Sequence, residues 1–220
     1  MQPRCIGVAC TLAFALLLSA TSSEAGRPFG QDHYAVYVLI ASDRHEVLTC
    51  RSSAAHLTAG NTEFKMQRAI ICPIAPATHF VAFNRHSPSA FNRAVSSTVS
   101  NRPVILELPL EICPNKVSQQ DKAFTERLFR RIHRQNGLVV AAVGNKGSRN
   151  CDPPTNERFP ADLQGVISVG AGSREKPSGY TLTWPGHPTD YEFITHETQS
   201  HFGTSLAAAL FVVRKIKEAR

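Results

Sequence analysis

Residues 138–147 read LVVAAVGNKG. Six apolar residues run without a polar break, rich in valine, between Asn136-Gly137 on one side and Gly144-Asn145 on the other. A short continuous apolar run bounded by turn residues suits a strand covered on both faces, as strands of a parallel sheet are. Working outward, residues 34–41 (YAVYVLIA), 79–84 (HFVAFN), 103–110 (PVILELPL) and 165–170 (GVISVG) carry the same pattern. Between them, residues 118–135 switch to a helical period, and Asn136-Gly137 closes that segment as a helix C-cap should. From Thr204 onward, SLAAALFVVRKIKEA reads as a helix whose apolar first half is buried. Strands alternating with helices predict an α/β domain with a largely parallel sheet. In such sheets function gathers at the carboxyl ends of the strands. The residues after Val143 and around Ser205 are therefore where chemistry is expected.

The ends and the composition bound the setting. Met1 to Arg4 is a short basic start, residues 5–20 are almost wholly apolar, and small residues Ser23 and Ala25 follow. This pattern predicts a signal peptide over residues 1–25 and a single domain over 26–220. No stable membrane span is expected after cleavage, and the protein is expected to be secreted or periplasmic. Of the six cysteines, Cys50, Cys72, Cys113 and Cys151 remain beyond that segment. None forms a C-x-x-C pair, so a structural zinc site is not expected, whereas an exported chain with an even cysteine number suggests disulfides. The pairing is left open among three possibilities. The formal charge of +7 is spread along the chain. Its one cluster, Arg127, Arg130, Arg131 and Arg134, falls at helical spacing beside Phe124, Leu128 and Ile132, and reads as the wet face of an amphipathic helix. Nucleic-acid binding is not expected. No run of Asp and Asn resembles a calcium loop, so no metal or other cofactor is expected.

Two segments carry the chemistry. In Phe202-Gly203-Thr204-Ser205-Leu206-Ala207-Ala208, a serine stands at the start of a buried helix, where free backbone N–H groups favour developing negative charge. In Gly144-Asn145-Lys146-Gly147, an amide side chain at a strand's carboxyl end offers an N–H to an oxyanion. The plain alternatives are a helix N-cap at Thr204 or Ser205 and an ordinary turn at Asn145.

Taken in order, LVVAAVGNKG, FPADLQGVISVGAG and FGTSLAAA resemble three landmarks of the subtilases, the subtilisin-like serine peptidases. These landmarks are the oxyanion-asparagine strand, the Y-P-A…V-I-x-V-G-A segment and the G-T-S-M-A nucleophile motif. The resemblance covers roughly residues 100–215. It implies a three-layer subtilisin-like domain, Ser205 as nucleophile, Asn145 as oxyanion donor, and a peptide or protein substrate bound in an extended conformation. Upstream, residues 74–82 (IAPATHFVA) are similar to the family's G-V-A-P-x-A-x-L-x-x-V-K-V segment. Thr58-Ala59-Gly60 then falls on the V-A-G that closes H-G-T-H-V-A-G. That register puts Ala54 where the catalytic histidine belongs, and His56 on the threonine of the motif. The first strand should end in D-[ST]-G with the catalytic aspartate. Asp43 stands near that place, but no glycine follows it.

A serine nucleophile needs a base to take its proton, and the base needs an orienting carboxylate. His45, His56 and His201 are the imidazoles left open for that role. The expectation is a subtilisin-like serine endopeptidase homologue, hydrolysing peptide bonds through Ser205, that is weak or inactive for want of its histidine. The alternatives are a non-catalytic peptide-binding pseudopeptidase and a structural exported protein.

Overall fold

A computed structural model describes residues 34–53, 61–84, 87–145, 158–171, 191–194 and 203–219. In chain order these form β1 (Ala35–Ser42), β2 (Glu46–Thr49), α1 (Asn61–Ile71), β3 (His79–Asn84), α2 (Pro88–Thr98) and β4 (Val104–Leu108). A 3-10 turn (Pro114–Lys116) leads to α3 (Gln119–Arg134), β5 (Leu138–Ala142), β6 (Val166–Ala171), β7 (Tyr191–Ile194) and α4 (Gly203–Glu218). The strands form one seven-stranded sheet in the order β2-β3-β1-β4-β5-β6-β7. All neighbours pair in parallel except β2, which runs antiparallel along β3.

Period-2 alternation divides each strand between two cores. Val36, Val38 and Ile40 of β1 meet α1 and α4 on one face, through Phe64, Ala207, Ala208, Phe211 and Val212. Leu39 of the same strand meets α2 and α3 on the other, through Phe91, Val95, Phe129 and Ile132. The result is the expected three-layer α/β arrangement, with a sheet covered on both sides and strands that are accordingly apolar throughout.

Local chemistry explains where α3 begins and ends. The Ser118 hydroxyl accepts the Asp121 N–H at 3.0 Å, which satisfies an orphan donor of the first turn. At the other end Asn136 takes a left-handed φ of 58°, Asn136 N–H donates to His133 O at 2.9 Å, and Gly137 N–H donates to Ile132 O at 3.0 Å. This is a Schellman cap with asparagine in the αL position. Gly137 must be glycine because a Cβ there would stand 2.6 Å from the Val104 carbonyl. The helix therefore hands the chain directly to β5. Arg127, Arg130, Arg131 and Arg134 are exposed, as the pattern predicts. The buried stripe, however, runs through Thr125, Phe129 and Ile132, while Phe124 is turned outward under the Arg127 guanidinium.

Cys50 and Cys72 form a disulfide that ties the chain after β2 to the residue following α1. Cys113 is also disulfide-bonded. Among the described residues no helix is long and apolar enough to cross a membrane.

Phe80, on β3, has no exposure and packs edge-on against Phe64 of α1 at 4.9 Å between centroids. Phe80→Ala is expected to cost about 3–5 kcal/mol, measured by equilibrium denaturation, because the sheet and helix that line the cavity cannot both collapse into it.

Candidate active site

Ser205 is the third residue of α4, in the first turn of a helix seated against the sheet by Ala207, Ala208 and Ala209, all fully buried. Small side chains let the helix axis approach the strands, which sets the N-terminus of α4 beside the carboxyl end of β5. There Gly144 takes a φ of 96° and turns the chain so that Asn145 faces α4. The Asn145 Oδ1 accepts the Thr204 N–H at 3.0 Å and lies 3.4 Å from the Thr204 hydroxyl. Asn145 thus caps α4 from another part of the chain, satisfying one of its orphan donors. With Oδ1 committed to that N–H, the amide Nδ2 remains as a donor. Gly203 has a φ of 45°, and a Cβ on it would run into the Asn145 amide, so the close approach requires glycine.

Sequence reasoning expected Ser205 and Asn145 at one site, and the fold brings them together. The Ser205 hydroxyl donates to the Pro109 carbonyl at 2.9 Å, just past the end of β4. Asp43 lies exposed where β1 ends and accepts the Ser42 hydroxyl at 3.1 Å. His45 is exposed in the same turn. Ala54, His56, His201 and Cys151 lie outside the described residues.

The sequence reading missed three residues. On α1, Glu63 and Gln67 stand one turn apart, and Gln67 is completely buried. Its Nε2 donates to Glu63 Oε1 at 2.9 Å and to the Ser205 carbonyl at 3.2 Å. A single amide therefore ties a carboxyl group to the backbone of the expected nucleophile. Burial pushes the Glu63 carboxyl up to about 7, against the opposing effect of the Gln67 hydrogen bond. The third residue, Glu107, is a fully buried acid in the middle of β4. Burial first, and then the nearby Glu63 charge, hold its carboxyl well above the usual range, while the Gln67 side chain works in the other direction. A signal for Glu107 was present, since VILEL places one acid inside a strand otherwise apolar on both faces. Glu63 and Gln67 carry no such signal, since an i, i+4 polar pair on a short helix is ordinary on a solvated face.

The arrangement has the parts of acyl-transfer chemistry: a hydroxyl at a helix start, an amide donor beside it, and a carboxyl whose proton is exchangeable near neutral pH.

No protein-family model and no curated protein matches the chain. Solved structures do match. A sedolisin from Pseudomonas, a serine-carboxyl proteinase, is 16% identical with a TM-score of 0.53, covering 88% of this chain and 76% of that one. The prenylagaramide maturation protease PagA is 16% identical with a TM-score of 0.51, covering 86% and 74%. The epidermin leader peptide processing serine protease of Staphylococcus aureus is 11% identical with a TM-score of 0.53, covering 87% and 69%. The fold is that of the subtilisin-like peptidases. The subtilisin-like fold gives the N-terminus of α4 its setting, with β5 and the loop that carries Asn145 on one side and α1 on the other.

Because folding raises the Glu63 pKa above its unfolded value of 4.5, the native state holds a proton that the unfolded chain releases. The resulting stability is fully present below pH 4.5 and is lost as pH rises through about 7. Glu63→Gln is expected to flatten that decline, by up to about 3 kcal/mol, in denaturation curves recorded across this range.

Proposed function

We propose that the protein is an exported serine endopeptidase of the serine–carboxyl kind, acting on peptides bound in an extended conformation. Ser205 is the nucleophile, Glu63 the base, Gln67 the residue that orients the base, and Asn145 the oxyanion donor. The observation that carries this reading is the Gln67 amide, which joins Glu63 to the backbone carbonyl of Ser205 through bonds of 2.9 and 3.2 Å and so sets the carboxyl beside the first turn of α4. It offers an alternative to the expected weak or inactive peptidase. The register that leaves Ala54 in the histidine position removes an imidazole, but a buried carboxyl with a pKa of about 7 is itself matched to proton transfer near neutral pH. A serine paired with a carboxyl group is also chemistry that this fold carries in the Pseudomonas sedolisin. The Cys50–Cys72 disulfide fits an oxidising compartment, in keeping with export of the chain.

In the proposed reaction the Ser205 hydroxyl rotates off the Pro109 carbonyl and gives its proton to the Glu63 carboxylate as Oγ bonds to the scissile carbonyl carbon. The carbonyl oxygen becomes an oxyanion, held by Asn145 Nδ2 and by the backbone N–H at the start of α4. Collapse of this intermediate breaks the peptide C–N bond, and Glu63 returns the proton to the leaving amine. Water, deprotonated by the same carboxylate, then releases the acyl group and restores the serine. The scheme asks for no contribution from Asp43 or from the imidazoles of His45, His56 and His201.

One observation favours a second reading, a non-catalytic peptide-binding protein. In the resting structure the Ser205 hydroxyl is engaged by a carbonyl, which accepts a hydrogen bond but takes no proton.

A fluorophosphonate probe separates the two. Labelling of the purified protein is expected to disappear in Ser205→Ala and to slow by about 10²–10⁴-fold in Glu63→Gln, the usual worth of a general base. The wild-type rate should climb as pH rises through about 7, where Glu63 gives up its proton. No wild-type labelling, with retained binding of extended peptides, would establish the second reading instead.

A further inference from the structure

Gln67 is the hub of the site, and its two ends are treated unequally. Its Nε2 is shared between Glu63 Oε1 and the Ser205 carbonyl. Its Oε1 is buried without a hydrogen-bond partner, and so are both carboxyl oxygens of Glu107. Three orphaned buried oxygens on two neighbouring side chains are costly, because each has given up its hydrogen bonds to water for nothing in return.

The amide cannot relieve this by turning over. The Ser205 carbonyl only accepts, so the group facing it must be the NH₂. That leaves Oε1 directed away from Ser205 and in need of a donor. An ionised Glu107 has no proton to offer, whereas a carboxylic acid has one O–H. The Gln67 side chain lies close enough to Glu107 to act on its carboxyl. At its register in the sheet Glu107 is flanked by Val38 of β1 and Val140 of β5, and α4 lays Ala207, Ala208 and Ala209 on this face. Glu63 of α1 is the titratable group that faces it. With apolar neighbours on the sheet and on α4, and an acid on α1, burial and the Glu63 charge outweigh the Gln67 amide, which favours the ionised form.

We propose that Glu107 is a positioning residue: as a neutral carboxylic acid it donates its O–H to Gln67 Oε1, and so locks the amide that holds Glu63 against the first turn of α4. The bond satisfies Gln67 Oε1 and gives the Glu107 proton its acceptor. It turns the two acids into unlike partners. Glu107 keeps its proton and serves as a fixed donor, while Glu63 is left as the group that exchanges one. The burial that would be a liability for a carboxylate is what keeps Glu107 in the donor form. This inference rests on the serine–carboxyl reading for its catalytic consequence. The Glu107–Gln67 bond itself stands on the orphaned atoms and on the nearness of the two side chains, whether or not Ser205 reacts.

The test compares wild type with Glu107→Gln and Glu107→Leu. The first variant keeps an N–H for Gln67 Oε1 at every pH. The second removes the donor while filling the space with an apolar side chain. Isotope-edited infrared spectra at a pH well above 7, where Glu63 has given up its proton, should show a buried protonated carboxyl that disappears in both variants. In NMR spectra the Gln67 side-chain NH₂ should be slow to exchange in wild type and Glu107→Gln, and fast in Glu107→Leu. Fluorophosphonate labelling of Ser205 should stay close to wild type in Glu107→Gln and fall by about 10²-fold in Glu107→Leu, the scale expected when a supporting contact is lost and a reacting group shifts. At high pH the wild-type rate should fall as Glu107 ionises, and the Glu107→Gln rate should not. Absence of the protonated carboxyl, or a Gln67 amide that behaves alike in all three proteins, would overturn the proposal. Both spectra are read whether or not Ser205 reacts, so failure of the peptidase reading shows in the labelling, and failure of this one in the spectra.

Discussion

The hydrogen bond from the Thr204 N–H to Asn145 Oδ1, at 3.0 Å, is the constraint on which the rest of the site depends. It joins the start of α4 to the loop after β5 and forces the helix end and the strand end together. Gly203 is required because the amide occupies the space that a Cβ would take. The alanines of the first turns are required because the helix could not otherwise lie this close to the sheet. Once α4 is seated, the position of Ser205 follows, and so does the position of its carbonyl, which is what Gln67 reads from the neighbouring helix.

The price of this design is a pair of acids in a place where carboxylates are unwelcome. Glu63 and Glu107 are both pushed toward their protonated forms, by burial and, for Glu107, by Glu63 as well. A fold that selects only for stability replaces such groups with apolar ones, since a buried carboxyl gains nothing that leucine would not supply more cheaply. Two ionisable groups of one kind, with environments that raise their proton affinities, are what the proposed reaction asks for. The helix that carries Glu63 and Gln67 is held at its far end by the Cys50–Cys72 disulfide, which limits how far α1 can slide along α4.

Much of this architecture was legible. The run at residues 79–84 is β3 as read, and the run at 138–143 is β5 with one residue beyond it. The segment 103–110 shortens to β4 because Pro109 lacks the N–H that would continue the ladder. The helix before β5 ends where Asn136-Gly137 said it would, because a left-handed cap is a local property of those two residues. The elements that escaped notice are β2, α1, α2 and β7. Among these α2, PSAFNRAVSST, is half polar and short, so its apolar residues give too few repeats to betray a period.

By itself the sequence determined what depends on neighbours along the chain, namely strand runs and caps, while the family resemblance supplied the expectation that a helix-start serine and a strand-end asparagine share one site. The tertiary structure alone decided which acid is tied, through Gln67, to the backbone of that serine. Gln67 and Ser205 are separated by 138 positions, and nothing in the local pattern of α1 marks Glu63 or Gln67 as anything but a solvated pair. Their character comes from burial against α4 and β4, and burial is a property of packing. A carboxyl group acquires its proton affinity from the dielectric and the charges around it, and these exist only when distant segments have closed over it.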